Sequence, residues 1–397
     1  MPGPLSHIRV LDLSRILAGP FAGQVLADLG ADVIKVEHPA RGDDTRSWGP
    51  PFAYGPDGGR GDAAYFFAAN RGKRSVRADI STPAGQQLVR DLAARSDVVL
   101  ENYKVGGLAR YGLDYDGLKA VKPDIVYCSI TGFGQDGPRA HQAAYDYMIQ
   151  AMGGLMSITG EADGHPGAGP QKVGVAVVDL LAGLYASTAI LAALARRTET
   201  GEGEHIDIAL LDVMVGSLAN QGANYLVGGK TPQRGGNRHP NIQPQDVFPC
   251  LGGYIVIAVG NDGQFGKLCE AIGRPALAAD PLFATNDARV TNRDAMRETL
   301  IDALKHAEAY VWVERFAAAG VPCAPINTIP QALADPQIAH RGMLVEVEHA
   351  LAGPLRLISS PIHFRYAETG SLRPPPLLGQ HDDEVRAELM AEAPPLD

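Results

Sequence analysis

One carboxylate stands out because of its apolar surroundings. Asp179 is the single acid in the window 173–183, VGVAVVDLLAG. A helix that begins near Val178 would place Asp179 in its first turn, where backbone N–H groups and the helix dipole favour an ionised carboxylate. Such an acid could be a helix cap, a buried salt-bridge partner or a nucleophile, since buried acids are rare unless they are paired or functional. From spacing alone these interpretations stay open.

A glycine-rich loop is the second candidate for chemistry. Residues 234–240 read RGGNRHP, with Gly235 and Gly236 at the centre. Free backbone N–H groups in such a loop could stabilise an oxyanion, or the segment could be a flexible linker. The residues alone do not decide between the two.

Other familiar catalytic and metal-binding patterns are absent from the sequence. The eleven His residues are scattered, and no H-E-x-x-H motif, G-x-S-x-G elbow or Walker A loop occurs. We therefore expect no metal site, and neither a Ser hydrolase nor a P-loop enzyme. The four cysteines are widely spaced, which argues against a disulfide framework or a zinc site and favours a reduced, cytoplasmic compartment; they are Cys128, Cys250, Cys269 and Cys323.

Composition limits the partners. The chain has 397 residues, of which 45% are hydrophobic, enough for two or three domains with buried cores. Its 35 Lys and Arg against 45 Asp and Glu give a net charge of −10, and no basic run exists, so we expect no nucleic-acid partner. The start of the chain lacks the layout of a signal peptide. The longest apolar stretch, Val173–Leu194, carries Asp179 and predicts a buried helix rather than a membrane span.

The first forty residues predict a βαβ unit. Ile8–Leu13 is an apolar run typical of a buried parallel strand, helical spacing follows from Phe21 to Leu29, and Ala31–Glu37 predicts the next strand. Such a unit implies a parallel sheet with a right-handed crossover. The dinucleotide fingerprint G-x-G-x-x-G is missing after the first strand, so an NAD-dependent dehydrogenase is disfavoured.

Later segments extend this α/β pattern and then change it. Up to residue 220, strands are predicted at 98–102, 125–130 and 205–209, and helices at 85–96, 113–122, 145–156, 177–197 and 210–219. Beyond residue 220 a hairpin is predicted from 246–250 and 254–259, with helices at 264–272 and 292–306. This later pattern indicates a smaller α+β module. Short strands return at 344–347 and 355–359.

Several motifs carry a resemblance to a known family. They are VLDLSRILAGPFAGQVLADLGADVIKVEHPARGDDTR, NRGKRSV, VVLENY with LARYGL, YDYMIQAMGGLMSITG, KVGVAVVDLLAGLYA, GVPCAPINTI and RPPPLLGQH. The chain resembles, nearly end to end, the class III coenzyme A-transferase family, to which formyl-CoA transferase and carnitine CoA-transferase relatives belong.

The resemblance implies a role for each matching residue. Asp179 falls on the catalytic nucleophile, and Gly235 and Gly236 resemble a glycine loop that closes over the substrate intermediate. Leu17 stands where members often have Gln, and His38 where they often have Arg, which weakens two expected polar contacts. The implied CoA-binding residues are Ile16, Leu17, Ala18, His38, Ala78, Ser81, Asn102, Tyr103, Lys104 and Arg110. Cations considered for the CoA phosphates are Arg46, Lys73, Arg74, Lys104 and Arg110.

The resemblance also implies the reaction. CoA moves from an acyl-CoA thioester to a free carboxylic acid through an aspartyl-CoA intermediate, so the thioester is a substrate and no cofactor is bound permanently. The likeness of GVPCAPINTI and RPPPLLGQH to dicarboxylate-handling members suggests succinyl-CoA as donor. Arg234 or Arg238 could then hold a distal carboxylate by a bidentate pair.

Two alternatives use the same sequence features differently. An α-methylacyl-CoA racemase of the same superfamily needs a His directly before the Asp in the stretch that resembles Tyr145-Asp146, and this chain has Tyr there. A non-catalytic CoA-binding protein would be expected to lack the acid at position 179.

The expected architecture follows from both arguments. We predict an α/β fold with a large Rossmann-like open parallel sheet domain, formed by residues 1–220 and 327–397, and a smaller α+β domain with linkers, formed by residues 221–326. The resemblance implies that two copies interlock as an obligate homodimer.

Overall fold

A computed structural model describes residues 3–391 and contains an open sheet with helices on its faces. The strands are β1 (Arg9–Asp12), β2 (Asp32–Glu37), β3 (Phe52–Tyr54), β4 (Arg60–Ala63), β5 (Lys73–Arg77), β6 (Val98–Glu101), β7 (Val126–Thr131), β8 (Glu204–Ala209), β9 (Gln245–Cys250), β10 (Gly253–Ala258), β11 (Cys323–Pro325), β12 (Leu344–His349) and β13 (Gly353–Ile358). The helices are α1 (Ala18–Asp28), α2 (Ala64–Phe67), α3 (Pro83–Ala93), α4 (Tyr115–Lys119), α5 (Asp146–Met152), α6 (Leu155–Ile158), α7 (Val177–Thr200), α8 (Leu210–Gly216), α9 (Ala219–Gly228), α10 (Asp262–Ala271), α11 (Asn286–Thr291), α12 (Arg293–Leu304), α13 (Ala309–Ala319), α14 (Ile329–Leu333), α15 (Pro336–His340) and α16 (Asp382–Ala391).

The largest sheet has six strands in the order β5-β2-β1-β6-β7-β8. All its pairings are parallel, and in β1 Leu11 faces Ile34 of β2 on one side and Val99 of β6 on the other. Hydrophobic side chains pack on both faces of the sheet, which is why its central strands are apolar runs rather than alternating patterns. The predicted βαβ unit and α/β fold class are confirmed.

The edge strand β5 has no counterpart among the predicted strands. Its charged sequence, KRSVR, is typical of an exposed segment, yet Lys73, Arg74 and Ser75 are all buried. The charges are tolerated because each cation has a carboxylate partner: Lys73 Nζ lies 2.9 Å from Asp12 Oδ2, and Arg74 pairs with Asp32.

Helix α7, the longest of the described helices, contributes to the hydrophobic cluster on one face of the six-stranded sheet. By length and composition alone it could cross a membrane, but half of its most apolar window is buried, and Val178, Ala182 and Ile190 lie within the core. Gly183 faces α1 so closely that an added Cβ would lie 2.8 Å from the carbonyl oxygen of Ala18. Residues four apart share a helix face, so this close approach brings Asp179 beside the loop between β1 and α1.

The chain divides into two compact units. The first consists of residues up to 155, 173–223 and from 336 onward, and the second of residues 156–172 and 224–335. The second unit therefore includes 156–172 and extends to 335, whereas the predicted small domain covers 221–326. Residues 1–2 and 392–397, which the prediction assigns to the large domain, lie outside the described residues.

The second unit has its own core. β9 and β10 form the predicted antiparallel hairpin, and β11 pairs with the other edge of β10. Helices α10, α12 and α13 cover this sheet with a cluster that includes Phe248, Phe265 and Trp312. An antiparallel sheet with helices on it is an α+β arrangement.

Candidate active site

Asp179 occupies the first turn of α7, but the backbone there is capped by another acid. One carboxylate oxygen of Asp146, at the start of α5, accepts hydrogen bonds from the N–H groups of Val178 (2.8 Å) and Asp179 (3.3 Å). The side chain of Asp179 makes no capping hydrogen bond. The N–H groups that the sequence argument assigned to Asp179 therefore serve Asp146 instead.

Asp146 is itself held in place by one buried amide. Gln150 Nε2 donates to Asp146 Oδ2 at 2.6 Å, and Gln150 Oε1 accepts from the N–H of Val173 at 2.9 Å. Both side chains are buried. The position of the second carboxylate relative to the start of α7 is therefore fixed by local hydrogen bonds.

These contacts set the electrostatics of Asp179. Burial, followed by the negative charge of Asp146, raises the pKa of the Asp179 carboxyl from 3.8 to about 7. Within residues 3–391, no side chain forms a salt bridge or donates a hydrogen bond to this carboxylate. The two structural interpretations, a cap and a salt-bridge partner, are thus excluded for the described chain. A buried, unpaired acid with a raised pKa is characteristic of functional sites.

Asp179 opens into a cavity of about 560 Å³, called here the Asp179 cavity. Its wall comes from the β1–α1 loop, from the segment that follows β6, and from Tyr145. The predicted residues on this wall are Ile16, Leu17, Ala18, Asn102, Tyr103, Lys104, Arg110 and Asp179. The volume is that of a typical small-molecule site.

A second cavity, of about 380 Å³, adjoins the first and is called the His38 cavity. It contains the remaining predicted residues of the first unit, His38, Ala78 and Ser81. The two cavities share Arg15, Tyr103 and Arg110, and together they are called the groove.

Topology explains why the groove forms here. Its residues follow the carboxyl ends of β1, β2, β5 and β6, which are neighbours in the sheet and run in the same direction. Ligands of open parallel sheets bind in crevices outside these strand ends. The sequence places the residues far apart, and the sheet brings them to one edge.

Cations in the groove differ from those considered at the sequence level. Lys104 and Arg110 line it, and so do Arg15 and Arg41, which sequence reasoning missed. Arg46, Lys73 and Arg74, which were among the candidates for phosphate binding, lie outside the groove. Each is buried in an ion pair, with Glu37 (2.7 Å), Asp12 (2.9 Å) and Asp32 (2.5 Å) respectively, and lines neither cavity.

Two positions depart from the family pattern, and the structure shows their surroundings. Leu17 is buried and presents an apolar side chain to the Asp179 cavity. His38 is exposed, and its Nδ1 accepts from the N–H of Ala40 at 3.2 Å, so this nitrogen is already used within the protein.

Gly235 and Gly236 lie in the second unit. The N–H of Gly236 donates to the carbonyl oxygen of Gly160 at 3.0 Å, so it is not the free donor that the sequence suggested. Gly236 has φ +65°, and an added Cβ would lie 2.8 Å from the carboxylate of Glu161. The two arginines of this loop are also occupied: Arg234 pairs with Asp163, and Arg238 pairs with Asp294 at 2.6 Å.

Three further groups near the site were missed. Asp146 entered the sequence argument only as a racemase position, because a cap supplied from another helix leaves no local pattern. Burial and the charges of Asp179 and Asp146 raise the pKa of the Tyr65 phenol, which places that side chain in the field of both carboxylates. Burial raises the pKa of Glu101 to about 7, and its carboxylate accepts from the N–H of Tyr103 at 2.7 Å.

Residues 3–391 contain no cluster of three His, Cys, Asp or Glu side chains arranged to hold a metal ion. In the groove, the carboxylate of Asp179 lies beside a long, partly cationic cleft. Such an arrangement suits nucleophilic attack on an extended, negatively charged acyl compound.

Known proteins with the same sequence pattern agree with this chemistry. A family model described as CoA-transferase family III matches residues 5–382. The chain is 50% identical over 391 residues to a succinate–glutarate CoA-transferase of Agrobacterium fabrum, covering 97% of this chain and 96% of that protein. It is 41% identical over 387 residues to a succinyl-CoA:glutarate CoA-transferase of Homo sapiens, covering 98% and 86%. A solved CaiB/BaiF family protein from Brucella suis matches with a TM-score of 0.86 and 51% identity, over 98% of this chain and 100% of that chain. The protein described here therefore belongs to CoA-transferase family III and is a CoA-transferase.

Proposed function

We propose that this enzyme transfers CoA from succinyl-CoA to a free dicarboxylic acid such as glutarate, with Asp179 as the nucleophile. The observation that carries the proposal is the carboxylate of Asp179, which is buried, has no partner among the described residues and lines a cavity. The names of the relatives support the substrates, since two of them are called succinate–glutarate and succinyl-CoA:glutarate CoA-transferases.

The first half of the reaction forms the covalent intermediate. An oxygen of the Asp179 carboxylate attacks the thioester carbonyl carbon, the C–S bond breaks, and CoA leaves as a thiolate, which gives a mixed anhydride. The thiolate then attacks the aspartyl carbonyl carbon of the anhydride, and the donor acid leaves as its carboxylate. Asp179 now carries CoA as a thioester, so the free energy of the original thioester is conserved.

The second half reverses these steps with the acceptor. The acceptor carboxylate attacks the aspartyl thioester, the thiolate leaves, and the thiolate then attacks the acceptor carbonyl of the new anhydride. The product is the acceptor's CoA thioester, and Asp179 is again a carboxylate. Burial of Asp179 helps because both intermediates would be hydrolysed by water.

The groove residues are proposed to bind CoA. Arg110 and Lys104 supply positive charge for its phosphates, since cations bind phosphate by charge-assisted hydrogen bonds. Ile16, Leu17 and Ala18 line the part of the groove that contains Asp179, and His38, Ala78 and Ser81 line the adjoining part. Gly235 and Gly236 are proposed to act on the substrate side.

We also infer that two copies associate as an interlocked homodimer. Large apolar side chains are exposed on α7 and α9, including Tyr185, Leu226 and Val227, the last of which is 90% exposed. Large exposed apolar side chains are common where proteins associate. Light scattering should give twice the mass of the chain, and a stable monomer at micromolar concentration would contradict the inference.

We infer a cytoplasmic location and small-molecule partners, and the composition supports both. The four cysteines are free thiols, which fits a reduced cytoplasm, and the net charge of −10 fits small-molecule rather than nucleic-acid or membrane partners. No permanently bound cofactor is needed, because the thioester brings the reactive group with it.

The direct test is a matrix of acyl-CoA donors and free acids, read by mass spectrometry. We expect transfer from succinyl-CoA to glutarate, and loss of transfer with every pair in Asp179→Asn. Full transfer by Asp179→Asn would refute the role of this residue. Isomerised acyl-CoA formed without any acceptor would favour a racemase instead.

A further inference from the structure

The loop between β1 and α1 has an unusual backbone at the residue that lines the groove. Ile16 has φ +74°, in the left-handed region that β-branched residues rarely adopt. A strained conformation of this kind persists only where surrounding contacts hold it. Because Ile16 lines the Asp179 cavity, the contacts that hold it bear on substrate binding.

Asp43 provides the contact on one side of the loop. The N–H of Ile16 donates to both of its carboxylate oxygens, at 3.2 and 3.3 Å. The same carboxylate accepts from the backbone N–H of Thr45 at 3.0 Å and from its hydroxyl at 2.8 Å. Asp43 is buried, so its orientation is set by these hydrogen bonds and not by solvent.

Lys35 fixes Asp43 and touches the loop as well. Its Nζ lies 2.9 Å from Asp43 Oδ2 and donates to the carbonyl oxygen of Ser14 at 2.7 Å. Both charged side chains are completely buried. Burial alone would raise the pKa of Asp43, but the charge of Lys35 and its hydrogen bond hold that pKa at about 2, so the pair stays ionised at neutral pH.

Asn102 holds the other side of the loop. Its amide accepts from the N–H of Arg15 at 2.8 Å and donates to the carbonyl oxygen of Arg15 at 2.6 Å. Three consecutive residues, 14, 15 and 16, are thus each bound through the backbone by a side chain from elsewhere. Loop closure by such contacts pre-organises a binding wall before the ligand arrives.

We propose that the buried Lys35–Asp43 pair is a positioning device for the acyl-CoA, holding Ile16 in its left-handed conformation so that residues 16–18 form the wall beside Asp179. This inference rests on the proposed function, because it concerns binding in the same groove. Neither residue of the pair touches the reacting atoms. Both border the His38 cavity but not the Asp179 cavity, and their side chains have no exposed surface, so they act through the loop backbone.

Asp43→Asn tests the proposal with little change in shape. In this variant an NH2 group replaces one of the two carboxylate oxygens. It would face the N–H of Ile16 or the ammonium of Lys35, and because all of these groups are hydrogen-bond donors, the contact would be lost. We expect the Kd of CoA and the KM of the acyl-CoA to rise about tenfold, and the KM of the acceptor acid to stay within about twofold. If the pair only stabilised the fold, Asp43→Asn would lower stability without raising the KM of the acyl-CoA more than that of the acceptor acid.

Asp28→Asn is the matched control. Asp28 is also buried and paired, with Arg71 Nη2 at 2.7 Å, but it makes no contact with the loop among the described residues. We expect this variant to melt earlier than the wild type and to keep the wild-type KM values. An equal rise of the acyl-CoA KM in Asp28→Asn and Asp43→Asn would overturn the proposal.

A second background isolates the strain at Ile16. Glycine adopts positive φ freely, so in Ile16→Gly the loop depends less on Asp43. We expect Asp43→Asn to raise the acyl-CoA KM only about threefold in that background, against about tenfold with Ile16 present. The same factor in both backgrounds would show that Asp43 does not act through the backbone of residue 16.

The remaining outcomes are also decisive. If Asp43→Asn fails to fold, Thr45→Val is tested instead, because it removes one hydrogen bond to Asp43 and keeps the ion pair with Lys35. An acyl-CoA KM raised about twofold in this variant supports the proposal, and an unchanged KM overturns it. If the wild type and a folded Asp43→Asn bind CoA equally well, the positioning role is overturned and the proposed function is not. Wild-type enzyme that neither binds CoA nor transfers it overturns the proposed function itself.

Discussion

The charge of Asp146 should control the pH at which the enzyme becomes active. In the proposed mechanism the attacking group is the ionised form of Asp179, so kcat/KM for the acyl-CoA should rise with pH and level off above the pKa of about 7. In Asp146→Asn the remaining oxygen can still accept from the N–H groups of Val178 and Asp179, while the negative charge is gone. The rising limb should therefore move to lower pH.

The size of this movement follows from the causes of the raised pKa. Burial is the larger cause and Asp146 the smaller, so removing the charge lowers the pKa of Asp179 by at most about 1.5, from about 7 towards about 5.5. At pH 6 a carboxyl group with a pKa of about 7 is roughly one-tenth ionised, and one with a pKa of about 5.5 roughly three-quarters ionised. The ratio of kcat/KM at pH 6 to its plateau value should rise by up to about eightfold.

The assay is a pH profile of kcat/KM for succinyl-CoA, with each variant normalised to its own plateau. The substitution also removes the hydrogen bond that Gln150 donates to the replaced oxygen. We expect the loss of this bond to lower the plateau of kcat/KM but not to move the midpoint, so normalisation removes its effect. Asp207→Asn is the control, because the charge of Asp207 raises the pKa of Glu101 and not that of Asp179. An unmoved midpoint in Asp146→Asn, or an equal movement in Asp207→Asn, would refute the reasoning.

Three further outcomes are expected. Above pH 7 Asp179→Asn should be more stable than the wild type by up to about 4 kcal/mol, because a folded-state pKa raised from 3.8 to about 7 makes the wild type lose stability as pH rises between these values. Denaturant titrations at pH 8 and pH 4 should show the gain in stability only at pH 8, and an equal gain at both would contradict the prediction. Arg110→Ala should raise the KM of succinyl-CoA about tenfold and leave that of succinyl-pantetheine nearly unchanged, since the lost contact is to phosphate; equal effects in steady-state assays would place the arginine elsewhere. Gly236→Ala should destabilise its loop by about 1 kcal/mol because of its positive φ and the nearby Glu161, whereas Gly235→Ala, with open space around it, should melt like the wild type; identical melting temperatures would contradict this.

Patterns of apolar residues predicted the elements whose faces are buried by other apolar groups. The strands at β1, β2, β6 and β7 lie close to their predicted positions, because a strand covered on both faces must be apolar throughout. The long apolar run around Asp179 likewise became α7. Where burial and hydrophobicity coincide, the sequence is sufficient.

Prediction failed where burial depends on a partner that is distant in the chain. β5 is buried although it is charged, because Lys73 pairs with Asp12 of β1 and Arg74 pairs with Asp32 of β2. These strands are distant from β5 in the chain and come close to it only in the sheet. The same pairing engages two of the cations that were considered for the CoA phosphates. Nothing in a local window shows which cations will find a carboxylate.

The candidate site divides in the same way. Residue types and family likeness indicated Asp179 and the groove residues. Asp179 begins a predicted helix and others follow the end of a predicted strand, whereas Ala78 and Ser81 follow β5, which was not predicted, and were indicated by the family likeness alone. Two features that shape the site left no such signal: Asp146 caps a helix that begins more than thirty positions later, and Ile16 is held at positive φ by Asp43. Both arise from contacts between segments, which only the fold reveals.

The most direct test of the central claim is to look for CoA on Asp179. The enzyme is incubated with succinyl-CoA and no acceptor, quenched, digested and examined by mass spectrometry. We expect a CoA adduct, less one water, on the peptide that contains Asp179. The adduct should be lost on addition of glutarate, replaced by a hydroxamate after hydroxylamine and absent in Asp179→Asn. An adduct on a different residue, or undiminished transfer by Asp179→Asn, would contradict it.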